Sequence, residues 1–280
     1  MGSHMLLYLS LFCIISLVTA ENIRTRSPNR GLLEYSSRIV NGTRATLGRF
    51  PHQVSLRRAV TQNHFCSGTI LTSKWVLSAG HCMLDLNNNT LEASSMLIVA
   101  GEIVLKNTNR AHAWSKVTKL IVHPQFQKRT LENDIALLKL ETPLDFDDRV
   151  QPAYIIQRRV NADTMCQVGG WGSTIVEPLS SYFMYIDLPV MSDRLCQELW
   201  GNYTLAKGTF CAGYLEGFRD SCTGDSGAGL MCDGFLTGLV SGGGRKCAEP
   251  RVPGLYTDVY FFVPWIERYV NLEENVSKLP

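Results

Sequence analysis

This sequence predicts an all-β fold of short antiparallel strands, and three observations carry the prediction. Short apolar or alternating runs recur between turn signals along most of the chain. The 280 residues include 23 Gly and 11 Pro, which suits turns better than long helices. With 45% hydrophobic and 19% charged residues, the chain can bury one large core or two modest ones and is neither disordered nor low-complexity.

The first segments precede that fold. Gly2-Ser3-His4 ahead of a second methionine reads as an expression-tag remnant over residues 1–4, with the native start at Met5. Leu6 to Val18 is an apolar run too short to cross a bilayer but suited to the core of a secretory signal, and Val18-Thr19-Ala20 provides the small residues of a cleavage site. A signal peptide over 5–20, removed after Ala20, makes the protein secreted and extracellular with no membrane anchor. Residues 21–38 are polar, carry Arg24, Arg26, Arg30 and Arg38 and lack cysteine, as a propeptide does. The remainder, 39–280, forms the folded domain. The whole chain has 27 basic and 25 acidic side chains; from Ile39 onward, 23 of each remain. Bulk charge therefore offers nothing to a nucleic acid.

The predicted strands follow in order: His52–Leu56, Gly68–Thr72, Trp75–Ala79, Met96–Ala100, Val117–Val122, Ile135–Leu140, Met165–Gly169, Ile186–Val190, Leu230–Cys232, Phe235–Ser241 and Gly254–Val259. Little room is left for helices between them. Near the end, Trp265/Tyr269 and Ile266/Val270 repeat at i and i+4 behind Pro264, predicting one C-terminal helix over 263–270.

Secretion gives the cysteines meaning. Cys13 leaves with the signal, and Cys66, Cys82, Cys166, Cys196, Cys211, Cys222, Cys232 and Cys247 remain. An even set in an oxidising compartment reads as four disulfides, with the pairing open among about 105 arrangements. No CxxC pair or histidine cluster at ligand spacing supports zinc, and no metal or cofactor is expected. Sequons at Asn41, Asn88, Asn202 and Asn275 are candidate glycosylation sites.

Four strings carry chemistry: Arg38-Ile39-Val40-Asn41-Gly42, Ser78-Ala79-Gly80-His81-Cys82, Asn133-Asp134-Ile135-Ala136-Leu137-Leu138, and Asp220-Ser-Cys-Thr-Gly-Asp-Ser226-Gly. Each alone reads as readily as a structural turn or strand end. Together, and with Val168-Gly-Gly-Trp171-Gly172 and Cys211-Ala-Gly-Tyr-Leu-Glu-Gly217, they resemble the trypsin-like serine proteases of the chymotrypsin family, from Ile39 to about Asn271.

The resemblance implies two antiparallel six-stranded β-barrels with a catalytic cleft between them and a C-terminal helix. It implies that Ser226 attacks the scissile carbonyl, that His81 takes and returns the proton, and that Asp134 orients the imidazole and stabilises its cation. Backbone N–H groups of Gly224 and Ser226 would form the oxyanion hole. Ser241 would bond the triad carboxylate. Asp220 would sit at the base of an Arg/Lys pocket kept open by Gly243 and Gly254. Cleavage at Arg38–Ile39, by the protein itself or another trypsin-like protease, would free an amino group to pair with Asp225. The cysteines would pair Cys66–Cys82, Cys166–Cys232, Cys196–Cys211 and Cys222–Cys247. Partners would be protein or peptide substrates and protein inhibitors.

The sequence departs from the family at three places. Ala228-Gly229 stands where Gly-Pro is usual after the nucleophile. Ser241-Gly242-Gly243-Gly244 lacks the indole that forms a cleft wall, so the residues preceding the cut are expected to be read weakly. In the segment Glu102 to His112 only Glu102 matches the family's calcium loop, which leaves a hard cation too few anionic ligands. These departures keep a second reading in view: a catalytically weak homologue serving as a binding or regulatory cofactor.

Overall fold

The computed structural model describes residues 42–105, 111–173, 179–273. Thirteen strands and two short α-helices follow the order β1 Thr43–Arg44, β2 Gln53–Arg58, β3 His64–Thr72, β4 Trp75–Ser78, β5 Met96–Ala100, β6 Ala113–Val122, β7 Ala136–Leu140, β8 Met165–Gly170, β9 Met184–Pro189, α1 Asp193–Trp200, β10 Thr209–Ala212, β11 Gly229–Cys232, β12 Phe235–Gly242, β13 Gly254–Asp258 and α2 Val263–Ile266. The signal peptide, the propeptide, Arg38, Ile39 and two of the sequons, Asn41 and Asn275, lie outside the described residues. No described helix is long and apolar enough to cross a membrane.

The first six full strands close into an antiparallel barrel in the order β2-β3-β4-β7-β6-β5. Its interior is aliphatic, with Val54, Leu56, Ile70, Val76, Ile98 and Leu138 fully buried. The second sheet runs β1-β9-β8-β11-β12-β13-β10. It differs from the expected six strands in one respect: β1 adds a seventh by pairing Thr43 with Tyr185. The two far strands still meet, because Val190 bridges Ala212, Met191 N–H donates to the Cys211 carbonyl and Gly213 N–H donates to the Pro189 carbonyl. That contact brings the remaining six strands round on themselves, since a closed ladder leaves no unpaired edge.

Strands such as β2 and β7 are buried on almost every residue, where a sheet with one wet face would alternate. The second covered face explains it. Leu71, Leu77, Ile135 and Leu137 on the outside of the barrel pack against Leu236, Leu239, Val259, Trp265 and Ile266. This shared apolar layer holds the two halves together, and the site stands along it.

Two strands and a helix were not predicted. β1 is only two residues long, and β10 is a four-residue Thr-Phe-Cys-Ala strand. Helix α1 does carry the usual start and stop signals: Ser192 caps it by accepting from Leu195 N–H, Arg194 and Glu198 pair one turn apart, and Gly201 ends it at φ 55. The C-terminal helix is shorter than predicted, ending at Ile266 before a turn. The four disulfides pair Cys66–Cys82, Cys166–Cys232, Cys196–Cys211 and Cys222–Cys247, as the resemblance implies. Bridges over loops of this size stabilise by roughly 3 kcal/mol each in the chain-entropy account.

Candidate active site

His81 and Asp134 come from the ends of neighbouring barrel strands. His81 lies in a single 3-10 turn, Gly80–Met83, after β4, and Asp134 lies two residues before β7. Because β4 and β7 pair along their length, with Ser78 opposite Ala136, both residues emerge at one barrel end. Asp134 Oδ2 lies 2.8 Å from His81 Nδ1, and Asp134 Oδ1 accepts the His81 backbone N–H at 2.7 Å. The carboxylate therefore fixes both the ring and its backbone. Ser241 Oγ donates to Asp134 Oδ2 at 2.5 Å, and Thr257 Oγ1 donates to the Asp134 carbonyl at 2.9 Å. Both hydroxyls come from the second sheet, so Asp134 is held from the two halves at once; its side chain is fully buried.

Those partners decide how His81 titrates. Burial opposes its protonation, but the charge and hydrogen bond of Asp134 outweigh burial and a smaller repulsion from Lys128, so its pKa is raised above 6.5. With Nδ1–H given to Asp134, the other nitrogen, Nε2, is left to take a proton.

Ser226 approaches from the second sheet, in the loop before β11. Ser67 N–H donates to the Ser226 carbonyl at 2.8 Å, and Cys82 Sγ lies 3.6 Å from that same oxygen. The residue after it must be glycine. Gly227 has φ +79, and a Cβ there would stand 2.2 Å from Ser78 Oγ and 2.5 Å from the Ser67 carbonyl. The serine loop therefore lies directly against the strand end that leads into His81. Ala228 has no positive φ and is fully buried in the second core, so an alanine is accommodated without backbone strain at this departure from the family.

Gly224 is fastened by a relay that sequence reading missed. Arg57 Nε donates to Ser55 Oγ at 3.0 Å, Ser55 Oγ lies 2.8 Å from His64 Nδ1, and His64 Nε2 lies 2.9 Å from the Gly224 carbonyl. The carbonyl accepts only, so Nε2 carries the hydrogen and Ser55 donates to Nδ1. Burial pushes His64 down to about 4, which keeps the ring neutral and this tautomer in place.

Asp220, Ser226, Ser241, Gly243 and Cys247 share the walls of one pocket of about 140 Å³. Asp220 is 5% exposed. Its Oδ2 accepts Ala248 N–H at 3.2 Å, while Oδ1 has no hydrogen-bond partner among the described residues. Burial raises this carboxyl to about 6. A Cβ on Gly254 would lie 3.0 Å from Asp220 Oδ1, and one on Gly243 would meet open space. Asp225 is fully buried; its two oxygens accept Gly172 N–H at 2.8 Å and Cys222 N–H at 2.9 Å, and burial pushes it up to about 7.

Gly242 is not an empty gap. A Cβ there would lie 2.6 Å from Leu131 Cδ1, so the side chain of Leu131 leans over the position where an indole is missing. Leu131 itself has φ +53, an uncommon conformation for a branched residue. In the segment of the family's calcium loop, Glu102 accepts His112 N–H at 2.7 Å, and His112 Nε2 lies 2.5 Å from Asp147 Oδ2. The one carboxylate that matches the family is thus engaged by the chain. Asn88 and Asn202 are both exposed.

Comparison with known proteins agrees with this geometry. The family model described as Trypsin matches residues 39–266. The chain is 34% identical over 235 residues to "Trypsin" of Sus scrofa, covering 83% of this chain and 96% of that protein. It is 35% identical to "Serine protease 1" of Rattus norvegicus, covering 84% and 91%, and 32% identical to "Kallikrein-14" of Homo sapiens, covering 84% and 85%. A match over most of the chain, at an identity above 30% to relatives covered nearly end to end, places it by descent as well as by shape: the chain belongs to the trypsin family of serine proteases.

Proposed function

We propose that the protein is an active, secreted endopeptidase that cuts after Arg or Lys and is made as a zymogen. The observation that carries the specificity is Asp220. A buried carboxylate oxygen without a partner costs about 1–3 kcal/mol or more, and a guanidinium or ammonium reaching down a 140 Å³ pocket supplies the missing donor and the opposite charge. In this reading Ser226 attacks the substrate carbonyl while His81 Nε2 takes the hydroxyl proton. The N–H groups of Gly224 and Ser226 receive the oxyanion, and His81 then protonates the leaving amine. Asp134 holds the imidazole in place and stabilises the imidazolium. Burial of Asp220 predicts weaker capture of Arg substrates as the pH falls through about 6, because the free carboxyl then holds a proton.

The family's membership in serine proteases, the retained His81, Asp134 and Ser226, and the pinned Gly224 all favour an active enzyme over a binding homologue. The deciding experiment treats the Arg38-cleaved protein with a fluorophosphonate probe and an Arg-anilide. Labelling at Ser226 with turnover supports the proposal; the absence of both refutes it. Asp220→Ser should reduce Arg and Lys turnover by orders of magnitude while Ser226 still labels, and unchanged Arg turnover would remove the assigned specificity.

A further inference from the structure

Two of the sequons stand on segments that rest on the loop leading into Asp134. Asn88 lies at the tip of the turn after His81, where Asp85 Oδ1 accepts both Asn87 and Asn89 N–H at 2.8 Å. Asn88 has φ +66, and Leu86 through Thr90 are all exposed. Lys128, on the loop 123–133, donates to Asn88 Oδ1. That bond engages the amide oxygen and leaves Nδ2, the atom that bears an N-linked sugar, outside it. Asn202 and Thr204 are exposed on the turn that follows α1. Between them, Tyr203 points inward, its hydroxyl donating to the Thr130 carbonyl at 2.6 Å. The loop that receives both contacts also sends Leu131 over Gly242 in the wall of the Asp220 pocket. Lys128 lies close enough to His81 to oppose its protonation, and burial first, then the charge of Asp134, raise the Tyr203 phenol.

We propose that Asn88 and Asn202 carry N-linked glycans that crowd the approach to the Asp220 pocket and act as a size filter, admitting flexible peptide segments and turning away folded proteins. The modification forms a bond from Nδ2 to C1 of the first sugar and breaks the bond from C1 to the diphosphate of a lipid-linked oligosaccharide; the Nδ2 proton is lost to the medium. A bulky glycan at such a position adds no contact to a short peptide but removes approach directions from a rigid partner. Association of two folded surfaces depends strongly on orientation, which is why the cost falls on large substrates. The filter rests on the proposed secreted protease function.

The test uses the full chain secreted from a eukaryotic host and activated. Peptide mapping should find glycan on both Asn88 and Asn202. Enzymatic removal of glycans from the folded protein should raise kcat/KM on a folded protein substrate about tenfold, leaving the same substrate after reduction and alkylation, and a small Arg-anilide, unchanged. Asn88→Gln and Thr90→Ala should act alike, since both delete one sequon by different side chains. An unmodified Asn88 or Asn202, or an unchanged ratio of folded to unfolded substrate, overturns the filter. If instead the anilide and the fluorophosphonate probe both fail, the proposed function falls and takes the filter with it.

Discussion

At His81, opposing influences meet on one imidazole. Asp134 raises its pKa against burial and against Lys128, and in the proposed mechanism the ring must be neutral to accept the Ser226 proton. Activity is therefore lost as pH falls through a value above the ordinary 6.5. Removing the cation in Lys128→Ala should move that acid limb further up, read from kcat/KM on an Arg-anilide across pH; a downward shift would contradict the assignment. Leu131 makes a second prediction at this scale. Had Gly242 left an open gap, Gly242→Trp would simply restore a wall. Instead a new side chain meets Leu131 Cδ1, the mobile end of a flexible group. Gly242→Trp combined with Leu131→Ala should therefore improve efficiency on Arg peptides with apolar preceding residues more than Gly242→Trp alone. The difference should be about 1–3 kcal/mol, the size of one apolar contact. Equal gains in the two variants would show that Leu131 does not hold that space.

The elements show why some of this was legible in the sequence and some was not. Barrel strands such as Met96–Ala100 and Trp75–Ser78 announce themselves as apolar runs, because they bury both faces. A two-residue β1 has no periodicity to read. Helix α1 had signals, in its Ser192 cap and the spacing of Leu195, Cys196 and Leu199, but they are weak beside the long strand runs around them. His81, Asp134 and Ser226 sit in short strings that are ambiguous singly but legible together, because each string is local and their order along the chain can be read. The Arg57–Ser55–His64–Gly224 relay cannot, because it exists only once β2 pairs with β3 in register and the serine loop folds over them. The segment from Glu102 to His112 gives the element-scale prediction. His112 ties it to Asp147, whose carboxyl is held below its ordinary range by the Arg149 and Val150 amides and by His112, with exposure too great for a large energy. His112→Ala should speed amide exchange around Gly101 to Ile103. Added calcium or EDTA should leave the melting temperature of the unaltered protein unchanged, and a rise with calcium would refute the reading of this segment.

Across the whole molecule, activation depends on where charge can be buried. Asp225 lies between Gly172 and Cys222 with no exposed surface, and its carboxyl is pushed up to about 7 by burial, against the two amides it accepts from. In an uncleaved chain the unfolded state releases this proton near the ordinary 3.8 while the folded state holds it until about 7. Stability should then fall as pH rises through that interval, by about 4 kcal/mol over the full range. Cleavage at Arg38–Ile39, as proposed, adds an α-amino group as partner. Its ordinary pKa is about 8 and would be raised by pairing, so its stabilisation is complete below about 8 and fades as pH climbs through the raised value. The same pairing draws the Asp225 carboxyl back down and removes the loss between the two lower values. Urea unfolding of the Arg38→Gln protein and of the cleaved protein, at about pH 5 and about pH 7.5, measures both effects. The uncleaved protein should lose stability between those values and remain inert after trypsin treatment, while the cleaved protein should hold its stability and turn over Arg-anilide. Parallel losses in the two proteins, or full activity in Arg38→Gln, would mean that Asp225 does not wait for a new amino terminus.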